Sequence, residues 1–343
     1  MTGTGPSLLL AAASGYGAIG GSFERAFAAA GCRVATVNNR DYLPLRLSRP
    51  GRLRNRLIRR RAVADYNRDL EANARAGKPD LLVVLKGALI LPETLKRIRE
   101  GLPGTRMINI NYDNYFSRAA ANNLGDLRAL IEVYDVFFPS KKDNVGKLKE
   151  LGAREVRYLP IGYDPCVHYP VTPTAAEADV YGRAVAFIGT CTPERVRFLE
   201  SIAGADLGIW GGHWDRVPRR LRGAVRNAIA CGREFSLAAG ASRIVLNFLR
   251  RENCDTHNQR TFEIPACGGF MLSQRTEELA EFFTEGVEYA AFSSSEELAE
   301  KTSWYLDHER ERAQIARQGR IRLLRDAHTV QDRVGLVMET IGA

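Results

Sequence analysis

The sequence predicts an α/β protein of two Rossmann-like domains in tandem, each built on a parallel sheet. Short runs rich in Val, Ile and Leu alternate with amphipathic helical patterns along the 343 residues, a rhythm of parallel sheets and not of sandwiches or bundles. The alternation breaks after Gly162-Tyr163-Asp164-Pro165 and restarts near Ala184. A chain that is 45% hydrophobic and 26% charged is also long enough to bury two cores of ordinary size.

In the first half, strands are expected at Leu8 to Ala13, Arg33 to Val37, Leu81 to Lys86, Arg106 to Ile110, Val136 to Pro139 and Val156 to Pro160. Ser22 to Ala30, Pro92 to Glu100 and Lys141 to Leu151 read as helices between them. The second half should hold strands at Ala184 to Ile188, Gly208 to Trp210, Ile244 to Phe248, Phe270 to Ser273 and Tyr289 to Phe292, then a helix at Glu296 to Asp307. The expected domains are residues 1–165 and 183–325, with 166–182 a linker because Pro170, Thr172 and Pro173 interrupt the pattern, and 326–343 a last helix. Two such domains facing each other would place the carboxyl ends of both sheets on a central cleft, where open α/β folds bind ligands.

No apolar run approaches the roughly 20 residues that span a bilayer. The N-terminal run lacks a basic flank, so it reads as a strand and not a signal peptide, and a cytoplasmic location is expected. Six cysteines lie scattered without a C-x-x-C pair, which predicts reduced thiols and no metal. The net charge of +9 is uneven, because the run from Arg46 to Arg61 holds many arginines and no acidic residue. An anionic membrane surface, a lipid-diphosphate substrate or nucleic acid would suit that charge, as would a plain solvated helix. Nucleic acid fits least, since no aromatic residue interleaves the arginines.

Candidate site residues begin with Gly15-Tyr16-Gly17-Ala18-Ile19-Gly20, a glycine-rich turn between the first strand and its helix. Such a turn lets a ligand approach the backbone and meet helix N-terminal amides. Its spacing is that of a dinucleotide-binding fingerprint, but the second strand ends Asn38-Asn39-Arg40 where an acidic residue belongs, with only Asp41 nearby. Phe187 to Arg195 repeats the strand, glycine and helix-start order, so Gly189, Thr190 and Arg195 are candidates for holding a diphosphate. Lys86 and Asp113 each follow a strand of the first domain, and a carboxylate at Asp113 could take a proton from an attacking hydroxyl. Trp210 and Trp214, on either side of His213, either flank a base or pack on each other.

The string Arg260-Thr261-Phe262-Glu263-Ile264-Pro265-Ala266-Cys267-Gly268-Gly269-Phe270-Met271-Leu272 resembles the donor segment of the CgeB-type (spore maturation protein-like) glycosyltransferases. Pro79 to Gly87, Asn111 to Tyr115, Tyr158 to Pro165, Phe187 to Arg195 and His328 to Arg333 are similar to that family's segments in the same order. The resemblance implies the GT-B fold, a nucleotide-sugar donor, and a last helix that crosses back to the first domain. It implies that Glu263 holds the donor ribose, while Asp255 stands where the broader group has its first Glu, a shorter side chain that puts its catalytic role in question. Arg260 would carry charge for the diphosphate, Gly268 and Gly269 would admit the ligand, and His257 would touch sugar or phosphate. Gly15, Tyr16, Gly17 and Lys86 would lie on the acceptor side, facing a glycan, a lipid-linked or a protein acceptor.

Helix dipoles and basic side chains can stabilise a leaving nucleoside diphosphate without a metal or other cofactor. No Asp-x-Asp pair of the metal-dependent type occurs in the chain. The donor segment leans towards retention at the anomeric carbon, and Asp255 leaves inversion open. A nucleotide-sugar epimerase of the same architecture and a non-catalytic glycan-binding protein are the competing readings, with a dehydrogenase resting on the glycine turn alone.

Overall fold

The computed structural model describes residues 5–15, 17–42, 52–117, 126–226 and 228–342. Tyr16 and residues 43–51, which include the start of the arginine run, lie outside them. The chain divides into two compact units, one of Met1–Pro160, Arg251–Cys254 and Val330–Ala343, the other of Ile161–Arg250 and Asp255–Thr329.

The first unit opens with β1 (Ser7–Ala12), α1 (Gly20–Ala29), β2 (Arg33–Asn38), α2 (Arg52–Gly77), β3 (Leu81–Leu85), α3 (Pro92–Gly101) and β4 (Arg106–Asn111). It continues with α4 (Leu127–Ile131), β5 (Val136–Pro139), α5 (Lys142–Glu150) and β6 (Glu155–Val156). These strands form one six-stranded sheet in the order β2-β1-β3-β4-β5-β6, every pair parallel. Parallel strands need both faces covered, so their sequences are apolar throughout. In β3, Leu82 and Val84 join the core with Tyr66 and Leu70 of α2, whereas Leu81, Val83 and Leu85 face the core of α1.

The second unit contains α6 (Ala175–Tyr181), β7 (Val185–Ile188), α7 (Pro193–Glu200), β8 (Leu207–Trp210), α8 (Arg233–Ala241), β9 (Ile244–Asn247) and α9 (Gln259–Ala266). Then follow β10 (Met271–Gln274), α10 (Glu277–Phe282), β11 (Ala290–Phe292), α11 (Ser295–Asp307) and α12 (Glu309–Arg325). Its five strands run β11-β10-β9-β7-β8, all parallel. Phe187, Leu246, Leu272 and Phe292 from four of them share one core with Leu298 and Tyr305 of α11.

Residues 166–182, expected as a linker, belong to the second unit. The reason is local: Thr174 and Glu177 close a capping box at the start of α6, which satisfies two backbone donors and nucleates the helix, and Glu177 then pairs with Arg233 of α8. The chain's last helix, α13 (Val330–Ile341), lies in the first unit, where Val330, Val334 and Val337 pack with Phe23 and Phe27 of α1. Arg106 Nη1 on β4 donates to the Ile341 carbonyl at 2.6 Å. No described helix is long and apolar enough to cross a membrane.

Candidate functional site

Glu263 is the centre of a charged cluster in the second unit. It lies in the middle of α9 and is 5% exposed. A carboxylate that deep needs partners. Arg260, one turn earlier, pairs with Oε2, and His168 Nε2 stands 3.4 Å from Oε1. Burial pushes the Glu263 carboxyl up, but the positive field of Arg260, with His168 and the Arg260 hydrogen bond, wins and holds it below the usual range. The Arg260 guanidinium stacks 4.4 Å above the Phe235 ring and donates through Nε to the Ile188 carbonyl at 3.1 Å, so its plane is fixed from three sides.

His168 was not singled out from the sequence. It is positioned by Asp164, whose Oδ1 accepts the Cys166 N–H at 2.9 Å while its carbonyl accepts the His168 N–H at 2.8 Å, a compact Asx turn. The ring meets Phe235 edge-on at 5.4 Å. Burial lowers the His168 pKa below its ordinary 6.5 despite the pull of Glu263, so the neutral ring, protonated on Nε2, faces the carboxylate near neutral pH. The available signal was Asp164 at the start of Asp164-Pro165-Cys166-Val167-His168, four residues being one such turn.

The N-terminus of α9 is held by a buried amide network. Asn258 caps the helix by accepting the Thr261 N–H, and its Nδ2 donates to Asn247 Oδ1 at 2.9 Å and to the Phe248 carbonyl at 3.1 Å. The other end closes on Gly268, at φ +80°, whose N–H reaches the Pro265 carbonyl while that of Gly269 reaches the Ile264 carbonyl at 3.1 Å. That is a Schellman end, which glycine adopts without strain. A Cβ on Gly269 would lie 2.6 Å from the Ala239 carbonyl oxygen. Helix termination and close packing thus each call for a glycine here.

Three further expected contacts are occupied by the fold itself. Arg195, 8% exposed, donates to the Thr190 carbonyl at 2.9 Å, to Thr190 Oγ1 at 3.2 Å and to the Phe248 carbonyl at 3.2 Å. It ties the β7–α7 turn to β9 where the sequence had it holding a diphosphate. Gly189 accepts the Trp214 indole N–H at 2.9 Å, and its N–H bonds the Trp210 carbonyl. Both tryptophans are buried, Trp210 against Tyr181, while His213 is exposed.

His257 is fully buried. Its Nε2 accepts the Ile161 N–H at 3.3 Å, which leaves Nδ1–H to face Glu278 Oε2 at 3.3 Å, with Phe282 beside the ring. These partners set the ring in the core of the second unit. The Asp255 side chain is 2% exposed, and its Oδ2 accepts from both Nε and N–H of Arg250 at 3.2 Å. That geometry fastens the loop before α9.

In the first unit, Lys86 and Asp113 are brought together at the carboxyl ends of β3 and β4, Nζ to Oδ2 at 2.5 Å. Lys86 adopts φ +63°, rare for a side-chain-bearing residue, so the pair is held in a conformation that costs about 1 kcal/mol or more. Asn111 Oδ1 accepts the Asp113 N–H at 3.0 Å, fixing the turn. Gly15 and Gly17 take φ +102° and +70° in the glycine-rich turn. Asn38 Oδ1 accepts the Ser14 N–H at 2.9 Å and Asn38 Nδ2 donates to Asp41, so the position where a dinucleotide site has its acidic residue instead braces the turn. Among the described residues no group of three or more His, Cys, Asp or Glu side chains is placed to hold a metal ion.

Residues 194–339 match the model of a glycosyl transferase-like family. No curated protein matches the sequence. Among solved structures, sucrose-phosphate synthase from Thermosynechococcus elongatus superposes with a TM-score of 0.69 at 12% identity, over 98% of this chain and 99% of that one. HepE of Anabaena in complex with UDP-glucose follows at 0.67 and 12%, over 98% and 100%. A putative UDP-N-acetylglucosamine 2-epimerase from Listeria monocytogenes reaches 0.58 at 10%, over 98% and 95%. With its two parallel-sheet units of six and five strands, this chain has the GT-B fold, and the family match over 194–339 supports a glycosyltransferase.

Proposed function

We propose that this chain transfers a hexosyl or deoxyhexosyl group from a nucleotide sugar to a glycan, lipid-linked or protein acceptor, without a metal ion. The observation that carries the reading is Glu263: a buried, ionised carboxylate oriented by Arg260 and His168, inside the segment that matches the glycosyl transferase-like family. Two adjacent hydroxyls of a ribose would donate to such a carboxylate while Arg260 remains its counter-charge. Arg260, with its side chain 28% exposed, is the cation nearest to that position and would carry charge of the departing diphosphate. Uridine is the base first to be tried, because HepE was solved with UDP-glucose. Retention at the anomeric carbon is part of the reading, since the donor segment resembles that of retaining enzymes.

On the acceptor side, Asp113 would take the hydroxyl proton while Lys86 holds it in place. The epimerase reading keeps the same donor site and rests on the likeness to the Listeria protein. Thermal-shift titration with UDP-, GDP-, dTDP-, ADP- and CMP-sugars in EDTA, beside a Glu263→Gln protein, tests the donor site. Stabilisation by one nucleotide class, lost in the variant, is the expected result, because a ligand of the folded state alone raises stability. No shift with any nucleotide overturns the donor site. Formation of an epimer without acceptor, read by NMR, replaces transfer with epimerisation.

A further inference from the structure

Helix α2 runs from Arg52 to Gly77, and among its described side chains the first buried one is that of Ala62. From there Ala62, Tyr66, Leu70 and Ala74 repeat every fourth residue as the buried stripe. Before it, Arg56, Leu57, Arg59, Arg60 and Arg61 are all exposed and Ile58 is partly so. From Arg56 to Arg61 these residues point in nearly every direction around the axis, so this stretch is exposed over a length of about 9 Å at 1.5 Å per residue.

Charge along the helix is divided the same way. The first acidic residue is Asp65, which takes Arg61 at 3.7 Å and Arg68 at 2.7 Å. Downstream, Glu71 neutralises Arg75 and Arg97. Among the described residues no ion pair ties Arg56, Arg59 or Arg60. The exposed stretch is therefore a compact block of uncompensated positive charge. Leu57, 58% exposed, sits within it, flanked one turn on by Arg60 and Arg61.

We propose that this end of α2 docks the protein on an anionic lipid bilayer. Guanidinium groups would meet the headgroup phosphates, and Leu57 would enter the acyl boundary, as apolar residues of interfacial helices do. The exposed leucine among the arginines favours a bilayer over nucleic acid, because an aliphatic side chain gains from entering the acyl boundary and adds little to contacts with phosphates. The inference does not depend on the donor reading of Glu263, and its test reads no sugar transfer.

The test is co-sedimentation of the full chain with vesicles of phosphatidylcholine alone and with about one-third phosphatidylglycerol. The expected result is binding to the anionic vesicles only, abolished by about 0.5 M salt. An Arg56→Gln/Arg59→Gln/Arg60→Gln protein should bind them on the order of 100-fold more weakly, at roughly 1 kcal/mol for each arginine. Its circular dichroism and Tm should be those of the parent, because these side chains touch no core. Leu57→Ser should weaken vesicle binding and leave the weak salt-dependent retention on an oligonucleotide as it was. Equal sedimentation with both vesicle types, no sedimentation, an unaffected triple variant, or tighter binding to the oligonucleotide than to the vesicles overturns the proposal.

Discussion

His168 Nε2 stands 3.4 Å from Glu263 Oε1, a neutral imidazole beside an ionised carboxylate at a depth where either alone would be costly. Burial keeps the ring below its ordinary pKa of 6.5, and the carboxylate is held ionised chiefly by Arg260. His168 thus orients one oxygen of Glu263 without adding a second charge.

Stability should consequently fall as pH drops through the ordinary histidine range. The unfolded chain takes up the His168 proton near 6.5, whereas the folded chain takes it up only at lower pH. More protons are then bound in the unfolded state, so stability rises with pH across that window. Below the ordinary carboxylate value of 4.5 a second loss follows, because the folded Glu263 carboxyl stays ionised longer than the unfolded one. Urea titrations between about pH 7.5 and 5 should show the first slope in the parent protein and a flatter one in His168→Asn. An equal slope in both removes His168 as its source.

Arg195 and Asp255 should behave as structural residues. Arg195→Ala strands the Thr190 and Phe248 carbonyls, and Asp255→Ala frees the Arg250 guanidinium and the loop before α9. Each loss of a charge-assisted, buried set is worth about 2–3 kcal/mol, a fall in Tm of roughly 4–12 °C for a domain of this size. Asp255→Asn, which keeps one acceptor oxygen, should recover part of that. A variant with unchanged Tm and turnover reduced more than about a thousandfold would instead return Asp255 to catalysis.

Strands were legible in the sequence because parallel strands buried on both faces leave continuous apolar runs: Leu81–Leu85 and Ile244–Asn247 need no partner to be recognised. The capping box of Thr174 and Glu177 was equally visible, but two nearby prolines drew the reading to a linker. Site chemistry was less legible for a physical reason. Arg195, His257 and Asp255 are the residue types a donor site uses, yet whether a guanidinium meets a phosphate or a carbonyl depends on burial, which local sequence does not carry. Glu263 and Arg260, one helical turn apart, were legible as a pair, while His168 reaches them only through tertiary folding.

The end of α9 offers a separate test of why its glycines are there. Gly268→Ala forces a side chain to φ +80° and should cost about 1 kcal/mol. Gly269→Ala drives a Cβ to 2.6 Å from the backbone oxygen of Ala239, and should cost more, about 2–3 kcal/mol, since backbone must move. Chemical denaturation ranks the two. If both variants unfold like the parent and lose only nucleotide binding, the glycines serve the ligand.

Lys86 and Asp113 separate backbone strain from chemistry. Lys86→Ala loses the ion pair and keeps the left-handed backbone, whereas Lys86→Gly loses the pair and relieves it, so the glycine variant should be the more stable by about 1 kcal/mol. Neither retains the ammonium that orients Asp113, so under the proposed function both should fall in kcat by a similar factor despite their difference in stability. Asp113→Asn removes the proton acceptor while keeping size and turn, and should lower kcat by about 10²–10⁴ with the donor KM little changed. Steady-state kinetics on the three proteins, beside their unfolding curves, reads both effects. A lysine variant as active as the parent would remove the ammonium from the proposed chemistry, whereas equal losses of activity in the alanine and glycine variants, despite their different stabilities, would assign the loss to the missing ammonium and not to the backbone.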